Sequence, residues 1–140
     1  MKYRARISGP LLDRIDIHVE VPAVRYKELS DESCGDTSAS IRERVERARQ
    51  LQVQRFKNGS KGIFCNAQML PSHLRRFCKV DAEGARLLEM VVDKLGMSAR
   101  AYDRILKVAR TIADLDGESE IRPVHLSEAI QYRALDRNVK

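Results

Sequence analysis

The chain has 140 residues and a formal net charge of +6, with 43% hydrophobic and 33% charged residues. This length suits one domain with a real core, and the composition is ordinary for a soluble globular chain. No apolar run approaches the roughly 18 residues that a membrane helix needs, and no leader peptide is evident. We therefore predict a cytoplasmic protein without a membrane partner. The positive charge favours polyanionic partners such as nucleic acid or phosphate groups.

The cysteines, the histidines and the known catalytic motifs exclude several classes of enzyme. The three cysteines lack a C-x-x-C pair, and the three histidines stand far apart, so we predict no metal ligand and no disulfide framework. The chain also lacks the phosphate loop G-x-x-x-x-G-K-[ST], the G-x-S-x-G motif and the H-E-x-x-H motif. We therefore expect no catalysis by this chain alone.

The stretch RIDIHVEV, residues 14–21, is predicted to form a strand. Four apolar residues alternate with polar ones, and Pro22 ends the pattern. No convincing second strand follows, so we expect its sheet to lie outside this chain. Arg14 at its start lies between Asp13 and Asp16, and we expect these acids to restrain its guanidinium group.

Helical signals dominate after a polar, acidic loop over residues 28–40. We predict a mainly α-helical fold, a bundle of about four helices with one apolar face each, preceded by the single strand. The first helix is predicted to turn four apolar residues inward, namely Ile41, Val45, Ala48 and Leu51. The predicted helix boundaries are Ser38 or Ser40 as the first N-cap, Pro71 for a short helix, Asp81 to Gly96, Ser98 to Gly117, and Pro123 for the last helix.

Two helices carry many of the basic side chains. Arg100 and Arg104 lie one turn apart near the start of the helix over 99–115, where the helix dipole disfavours positive charge. This placement favours a nearby anion or an acidic partner such as Asp103, and the alternative is a solvated basic face. Five arginines of the first helix alternate with glutamates, which predicts a salt-bridged solvent face: Arg42, Arg44, Arg47, Arg49 and Arg55.

Three segments together resemble a known family. SGPLLDRIDIHVEVP (8–22), SARAYDRILKVARTIADLDG (98–117) and HLSEAIQYR (125–133) are similar to the C-terminal part of the magnesium-chelatase-like AAA+ ATPases, within them the ComM (YifB) branch. The resemblance covers nearly the whole chain. It implies that residues 1–22 end the AAA+ core, that 23–40 are a linker and that 41–140 form the helical lid domain.

The resemblance also implies roles for particular arginines. The LLDR motif maps the arginine finger onto Arg14, which would reach the γ-phosphate of ATP held by the neighbouring subunit. The S-A-R motif maps the sensor-2 arginine onto Arg100, which would touch the phosphates of ATP in its own subunit, with Arg104 as the alternative. ATP and Mg²⁺ are the implied cofactors of the full-length protein, whose phosphate loop is expected before residue 1. None is expected to bind to this fragment.

The leading interpretation is therefore a lid fragment, inactive alone, of a homo-oligomeric ring motor. The ring is expected to be a hexamer that acts on DNA in recombination or transformation. One alternative is a magnesium-chelatase motor subunit, which drives Mg²⁺ insertion into protoporphyrin, and another is a free-standing basic DNA-binding helical domain. The chain departs from the expected pattern at Leu70, where a Ser or Thr cap would precede the proline.

Overall fold

The computed structural model describes residue 11 and residues 14–23, 35–57 and 62–133. These residues contain five α-helices and no sheet, which confirms the predicted mainly α-helical fold. None of the described helices is long and apolar enough to cross a membrane. The helices are α1 (Ser38–Phe56), α2 (Pro71–Phe77), α3 (Ala82–Leu95), α4 (Ala99–Leu115) and α5 (Pro123–Gln131), with a 3₁₀ turn at Asn66–Gln68 between α1 and α2.

Helix α4 lies at the centre of the bundle and contacts α1, α2, α5 and the 3₁₀ turn. Eight of its 17 residues are buried, so neighbouring elements enclose it rather than cover one side of it. Ile105 and Ala109 of α4 and Leu126 of α5 are completely buried. The apolar face that the sequence predicts for each helix is, in α4, part of the core, with Ile105, Ala109 and Ile112.

Helix α1 differs from its prediction in its start and in its buried face. Its N-cap is Thr37, whose hydroxyl accepts a hydrogen bond from the Ser40 N–H at 3.2 Å, so neither predicted serine is the cap. Of the predicted apolar positions only Ala48 is buried. The buried residues of α1 all lie in its second half, so its first half extends beyond the core and leaves Ile41 and Val45 exposed.

The predicted boundaries of α3 and α4 are confirmed. The Asp81 carboxylate and the Ser98 hydroxyl each accept a hydrogen bond from an N–H in the first turn, at 2.7 and 3.1 Å. Gly96 caps α3 at a φ of 58°, and Gly117 follows the end of α4 at a φ of 74°. Both have the left-handed backbone that glycine adopts at little cost.

Helices α2 and α5 begin in the same way, with a proline in the first turn and a histidine two residues later. The His73 Nδ1 accepts a hydrogen bond from the Leu70 N–H at 3.2 Å, and the His125 Nδ1 accepts one from the Arg122 N–H at 3.0 Å. The buried His125 also places its Nε2 at 3.3 Å from the Asp116 carboxylate. Each histidine occupies the N3 position of a capping box, which Glu or Gln usually fills, and satisfies the N–H of the N-cap residue. It does not replace the Ser or Thr side chain expected at Leu70, because the His73 N–H bonds to the Leu70 carbonyl at 2.9 Å.

Residues 14–23 form no strand in this structure, contrary to the prediction for 14–21. A strand exists only where its main chain pairs with a neighbour, and no other described segment offers these residues an edge. The single bridge in the described part of the chain joins Val80 to Ile121, in parallel orientation. The apolar residues of the segment are exposed, with Val21 at 81%.

The segment is attached to the bundle at the other end of the chain. The His18 N–H donates to the Tyr132 carbonyl, and the Arg133 Nη1 donates to the Ile15 carbonyl, both at 2.7 Å. Arg133 is 1% exposed. The segment that carries Arg14 is therefore held against the end of α5.

Replacing Gly84 by alanine should destabilise the chain although alanine is the better helix former. A Cβ at Gly84 would lie 2.7 Å from Leu126 Cδ1, and Leu126 is completely buried. Overpacking costs typically about 1–3 kcal/mol, against a helix-propensity gain of about 1 kcal/mol. We expect a lower midpoint of urea unfolding. Gly35→Ala is the control, because nothing lies within 4 Å of its Cβ position; equal midpoints for both variants would contradict the close contact.

Candidate functional site

Arg14, the predicted arginine finger, is exposed and lies in a turn. Its main-chain N–H donates to the Leu11 carbonyl at 3.0 Å. Its guanidinium group forms no ion pair with any residue that the structure describes. Asp16 pairs with Arg104 instead of Arg14, so the expected restraint by Asp16 is wrong. Asp13 lies outside the described residues.

Arg100 and Arg104 have different surroundings although they share helix α4. Arg100 is exposed in the first turn and pairs with no residue in the described ranges, Asp103 included. The Arg104 side chain is only 25% exposed and is held by Asp16. The ion pair between Asp16 and Arg104 thus connects the segment that carries Arg14 to the helix that carries Arg100. Arg104 lies one helical turn after Arg100.

The rest of that face of α4 is not a solvated basic face. The Lys107 Nζ donates to the Ala67 carbonyl at 2.9 Å, and the Thr111 hydroxyl accepts from the Asn66 side-chain amide at 3.0 Å. The 3₁₀ turn therefore covers the middle of this face. Among the described residues, Arg100 is the cation of this face that has no ion-pair partner.

A buried polar network at the C-terminal end of this same face of α4, where Asp114 follows Thr111 by three residues, was missed by the sequence reasoning. The Asp114 carboxylate is completely buried and accepts hydrogen bonds from two arginines. Arg55 reaches it with both Nη atoms, one of them at 2.8 Å, and Arg110 donates its Nε–H at 3.1 Å. Arg110 also donates to the carbonyls of Ser119, at 2.8 Å, and Glu118, at 2.5 Å.

Two buried amides complete this network. The Asn66 side chain donates to Asp114 at 2.8 Å and accepts from Arg55 at 2.8 Å. The Gln52 Oε1 accepts the Asn66 N–H at 3.2 Å. The network therefore joins α1, the 3₁₀ turn, α4 and the loop after α4.

Burial changes the acid–base properties of two groups near the network. Burial lowers the pKa of Arg110, and the Asp114 carboxylate opposes that change; a guanidinium group stays protonated in either case. Burial raises the pKa of the Cys78 thiol to about 12, although the charges of Arg110 and Arg55 act in the opposite direction. Cys78 is therefore an inert structural thiol rather than a nucleophile.

The network corrects the prediction for one arginine of α1. Arg44 pairs with Asp36, and Arg47 lies 4.0 Å from Glu43, both on the solvent face as expected. Arg55 is instead 15% exposed in its side chain and belongs to the interior. A signal existed in α4, because Arg110 and Asp114 follow the buried Leu106 at spacings of four residues.

The described residues suit the phosphate groups of ATP better than a metal ion. Arg14 and Arg100 present exposed guanidinium groups, which bind phosphate oxygens through paired N–H donors. No group of three or more His, Cys, Asp or Glu side chains in the described ranges could hold a metal ion.

Comparison with known proteins agrees with the resemblance seen in the sequence. Residues 35–133 match the family described as magnesium chelatase, subunit ChlI C-terminal, and residues 1–29 match magnesium chelatase, subunit ChlI. The chain is 44% identical over 138 residues to the competence protein ComM of Haemophilus influenzae and to the uncharacterized protein YifB of Escherichia coli. Each alignment covers 98% of this chain and 26% of the relative.

A more distant relative is the uncharacterized protein Rv2897c of Mycobacterium tuberculosis, 31% identical over 132 residues, with 94% of this chain and 26% of the relative covered. The chain spans about a quarter of the length of these curated relatives. The helical fold, the arginine-bearing segments and both family matches lead to one assignment: the chain belongs to the magnesium-chelatase family of AAA+ proteins, as a fragment that contains its C-terminal domain.

Proposed function

We propose that this chain is the nucleotide-sensing lid of an AAA+ ATPase that works as a homo-oligomeric ring, with Arg14 as the arginine finger and Arg100 as the sensor-2 arginine. The observation that carries the proposal is the contrast between Arg100 and Arg104. Arg100 is exposed and has no ion-pair partner in the described ranges, whereas Arg104 is held by Asp16. A guanidinium group can bind phosphate only if its N–H donors are available.

Each residue then has a definite task. ATP with Mg²⁺ supplies the reactive γ-phosphoryl group when it is bound in the full-length protein. Arg100 binds and orients phosphate oxygens from the first turn of α4. Arg14 neutralises charge that develops on the γ-phosphate of the neighbouring subunit, as arginine fingers do. Arg104 and Asp16 keep the segment of Arg14 in contact with α4 and take no part in binding phosphate.

We propose DNA as the substrate of the full-length motor and the cytoplasm as its location. The net charge of +6 suits a polyanion, and a relative 44% identical to this chain is named a competence protein. The second candidate is a magnesium-chelatase motor subunit, which the names of both matching families favour. A free-standing DNA-binding domain is disfavoured, because the chain spans only about a quarter of its relatives.

Substitution of Arg100 in the full-length protein tests the proposal. Arg100→Ala should lower the ATPase rate about 10²–10³-fold, the effect of losing one preorganised donor to developing charge. Arg86→Ala is the matched control, because Arg86 is an exposed helical arginine on α3. We expect the control to retain the parent rate in a steady-state phosphate-release assay.

Arg104 is separated from Arg100 by a second comparison in the same assay. If Arg104 only pairs with Asp16, then Arg104→Ala and Asp16→Ala should change the rate to the same small extent, and the double variant should add nothing. A large loss with Arg104→Ala alone, together with a normal rate for Arg100→Ala, would instead make Arg104 the sensor-2 residue.

A further inference from the structure

A basic groove lies away from Arg14 and Arg100. It has a volume of about 470 Å³ and is formed by the end of α2, the loops before α3 and α5, and side chains of α1 and α4. Its cationic lining residues are Arg55, Arg76, Lys79, Arg110 and Arg122, and its acidic ones are Asp81 and Glu120.

The inner wall of the groove carries an uncompensated positive charge. Arg55 and Arg110 both line the groove, and both rely on the single Asp114 carboxylate for charge balance. Two guanidinium groups and one carboxylate leave one net positive charge in a region where Arg110 is only 2% exposed. Weak solvent screening strengthens the attraction of such a charge for an anion.

The outer wall carries cations that are free to bind. Arg76 and Lys79 are exposed and pair with no residue in the described part of the chain. The Arg76 guanidinium carbon lies 4.9 Å from the centre of the Phe77 ring, so the ring supports the cation at the groove wall. The acid beside them, Asp81, already caps α3 through the Gly84 N–H.

The N-terminus of α5 adds to the positive potential, whereas that of α3 is offset by Asp81 and Glu83. The parallel bridge between Val80 and Ile121 places the chain just before α3 beside the chain just before α5, and both residues line the groove. Helix α5 has no acidic residue in its first turn. Its N-terminal dipole is therefore not offset by a local carboxylate, and helix N-termini favour anions.

We propose that this groove binds a phosphate group, with Arg76 and Lys79 as its direct ligands and the Arg55–Asp114–Arg110 cluster as the source of its net charge. Neither Arg14 nor Arg100 takes part, so the site differs from the proposed nucleotide-sensing residues; binding of a nucleic-acid backbone would rest on the proposed function, in which DNA is the substrate, whereas binding of a free phosphate would not. The phosphate belongs either to the backbone of a nucleic acid or to a free nucleotide, since the chemistry is the same.

Fluorescence anisotropy with the 140-residue chain tests the first source. The probes are a labelled single strand of about 20 nucleotides and a labelled duplex of about 20 base pairs. Each is titrated at several salt concentrations between about 50 and 200 mM, a range in which counterion release changes affinity strongly. The variant Arg76→Gln/Lys79→Gln should bind DNA on the order of tenfold to a hundredfold more weakly. The slope of log affinity against log salt concentration is negative, and its magnitude should be smaller by about two in this variant.

The matched control is Arg86→Gln/Lys94→Gln, which removes the same charge from exposed positions of α3 outside the groove. Helical circular dichroism and urea midpoints verify that both double variants are folded. Equal weakening by the two double variants would overturn the proposal, because it would show a diffuse charge effect rather than a site.

Calorimetric titration with ATP and with inorganic phosphate tests the second source. Binding of either small ligand that the Arg76→Gln/Lys79→Gln variant loses, without DNA binding, assigns the groove to a free phosphate. Variant-sensitive DNA binding that ATP does not displace assigns it to a nucleic-acid backbone. Absence of binding to every probe at about 50 mM salt, where phosphate contacts are weakened less than at higher salt, would overturn the proposal. These results do not depend on the ATPase assays with Arg100 variants.

Discussion

Asp114→Ala should lower the free energy of unfolding by about 3–5 kcal/mol, the largest stability change expected for any single substitution in this chain. The change removes the carboxylate that Arg55 and Arg110 share and leaves two guanidinium groups close together without it. It also removes an acceptor of the buried Asn66 side chain. Because small domains have total stabilities of about 5–15 kcal/mol, we expect a partly unfolded chain at 37 °C in a thermal circular-dichroism scan.

The control for Asp114→Ala is Asp93→Ala, an exposed aspartate of α3 that pairs with no described residue. Its unfolding midpoint should stay close to that of the parent chain. A second comparison uses Asp114→Leu with Arg110→Met, which removes the two most deeply buried charges and leaves Arg55, whose side chain is 15% exposed. This double variant should recover part of the loss, since buried pairs are often replaceable by apolar side chains. An Asp114→Ala chain as stable as the control would contradict the network.

Arg14→Ala in the full-length protein should lower the ATPase rate about 10³–10⁵-fold, as loss of an arginine finger does in well-studied NTPases. ATP binding should change little, because an arginine finger stabilises charge that develops mainly in the transition state. The stability of the 140-residue chain should also stay the same, since Arg14 is exposed and its guanidinium group has no ion pair in the described ranges. Phosphate release, nucleotide binding and thermal unfolding measure the three quantities.

Mixed rings test whether Arg14 acts on the neighbouring subunit. Arg14→Ala subunits, which have an intact nucleotide site, are mixed with subunits that cannot hydrolyse ATP but retain Arg14. If the finger acts between subunits, the mixed rings should regain activity that neither parent ring has. No recovery at any mixing ratio, with ring assembly verified by sedimentation, would exclude a role between subunits.

The helices were predictable because each one is marked by local chemistry. Asp81 and Ser98 are short polar caps, and Gly96 and Gly117 adopt the backbone that ends a helix. Such signals depend only on neighbours in the sequence. The family assignment was likewise available, because contiguous segments carry the resemblance.

The prediction failed where a residue's role depends on contacts distant in sequence. Arg55 is 59 residues from Asp114, and nothing near it in the sequence distinguishes it from the solvent-exposed arginines of α1. Asp16 was paired with Arg14 by proximity in the sequence, whereas its partner Arg104 comes from another element. The alternating pattern of residues 14–21 favours a β-strand, but a strand also needs a neighbouring strand to pair with. The described residues contain no such neighbour.

The attachment of the Arg14 segment has a consequence for local unfolding. Among the described residues, it depends on few polar contacts: the hydrogen bonds from Arg133 to the Ile15 carbonyl and from the His18 N–H to the Tyr132 carbonyl, and the ion pair of Asp16 with Arg104. These contacts bury little apolar surface, since Ile15 and Ile17 are 39% and 49% exposed. Elements with few buried contacts open at a lower free energy than the core. The segment can therefore detach and reattach while the bundle around α4 stays folded, so Arg14 has a freedom of movement that the core lacks.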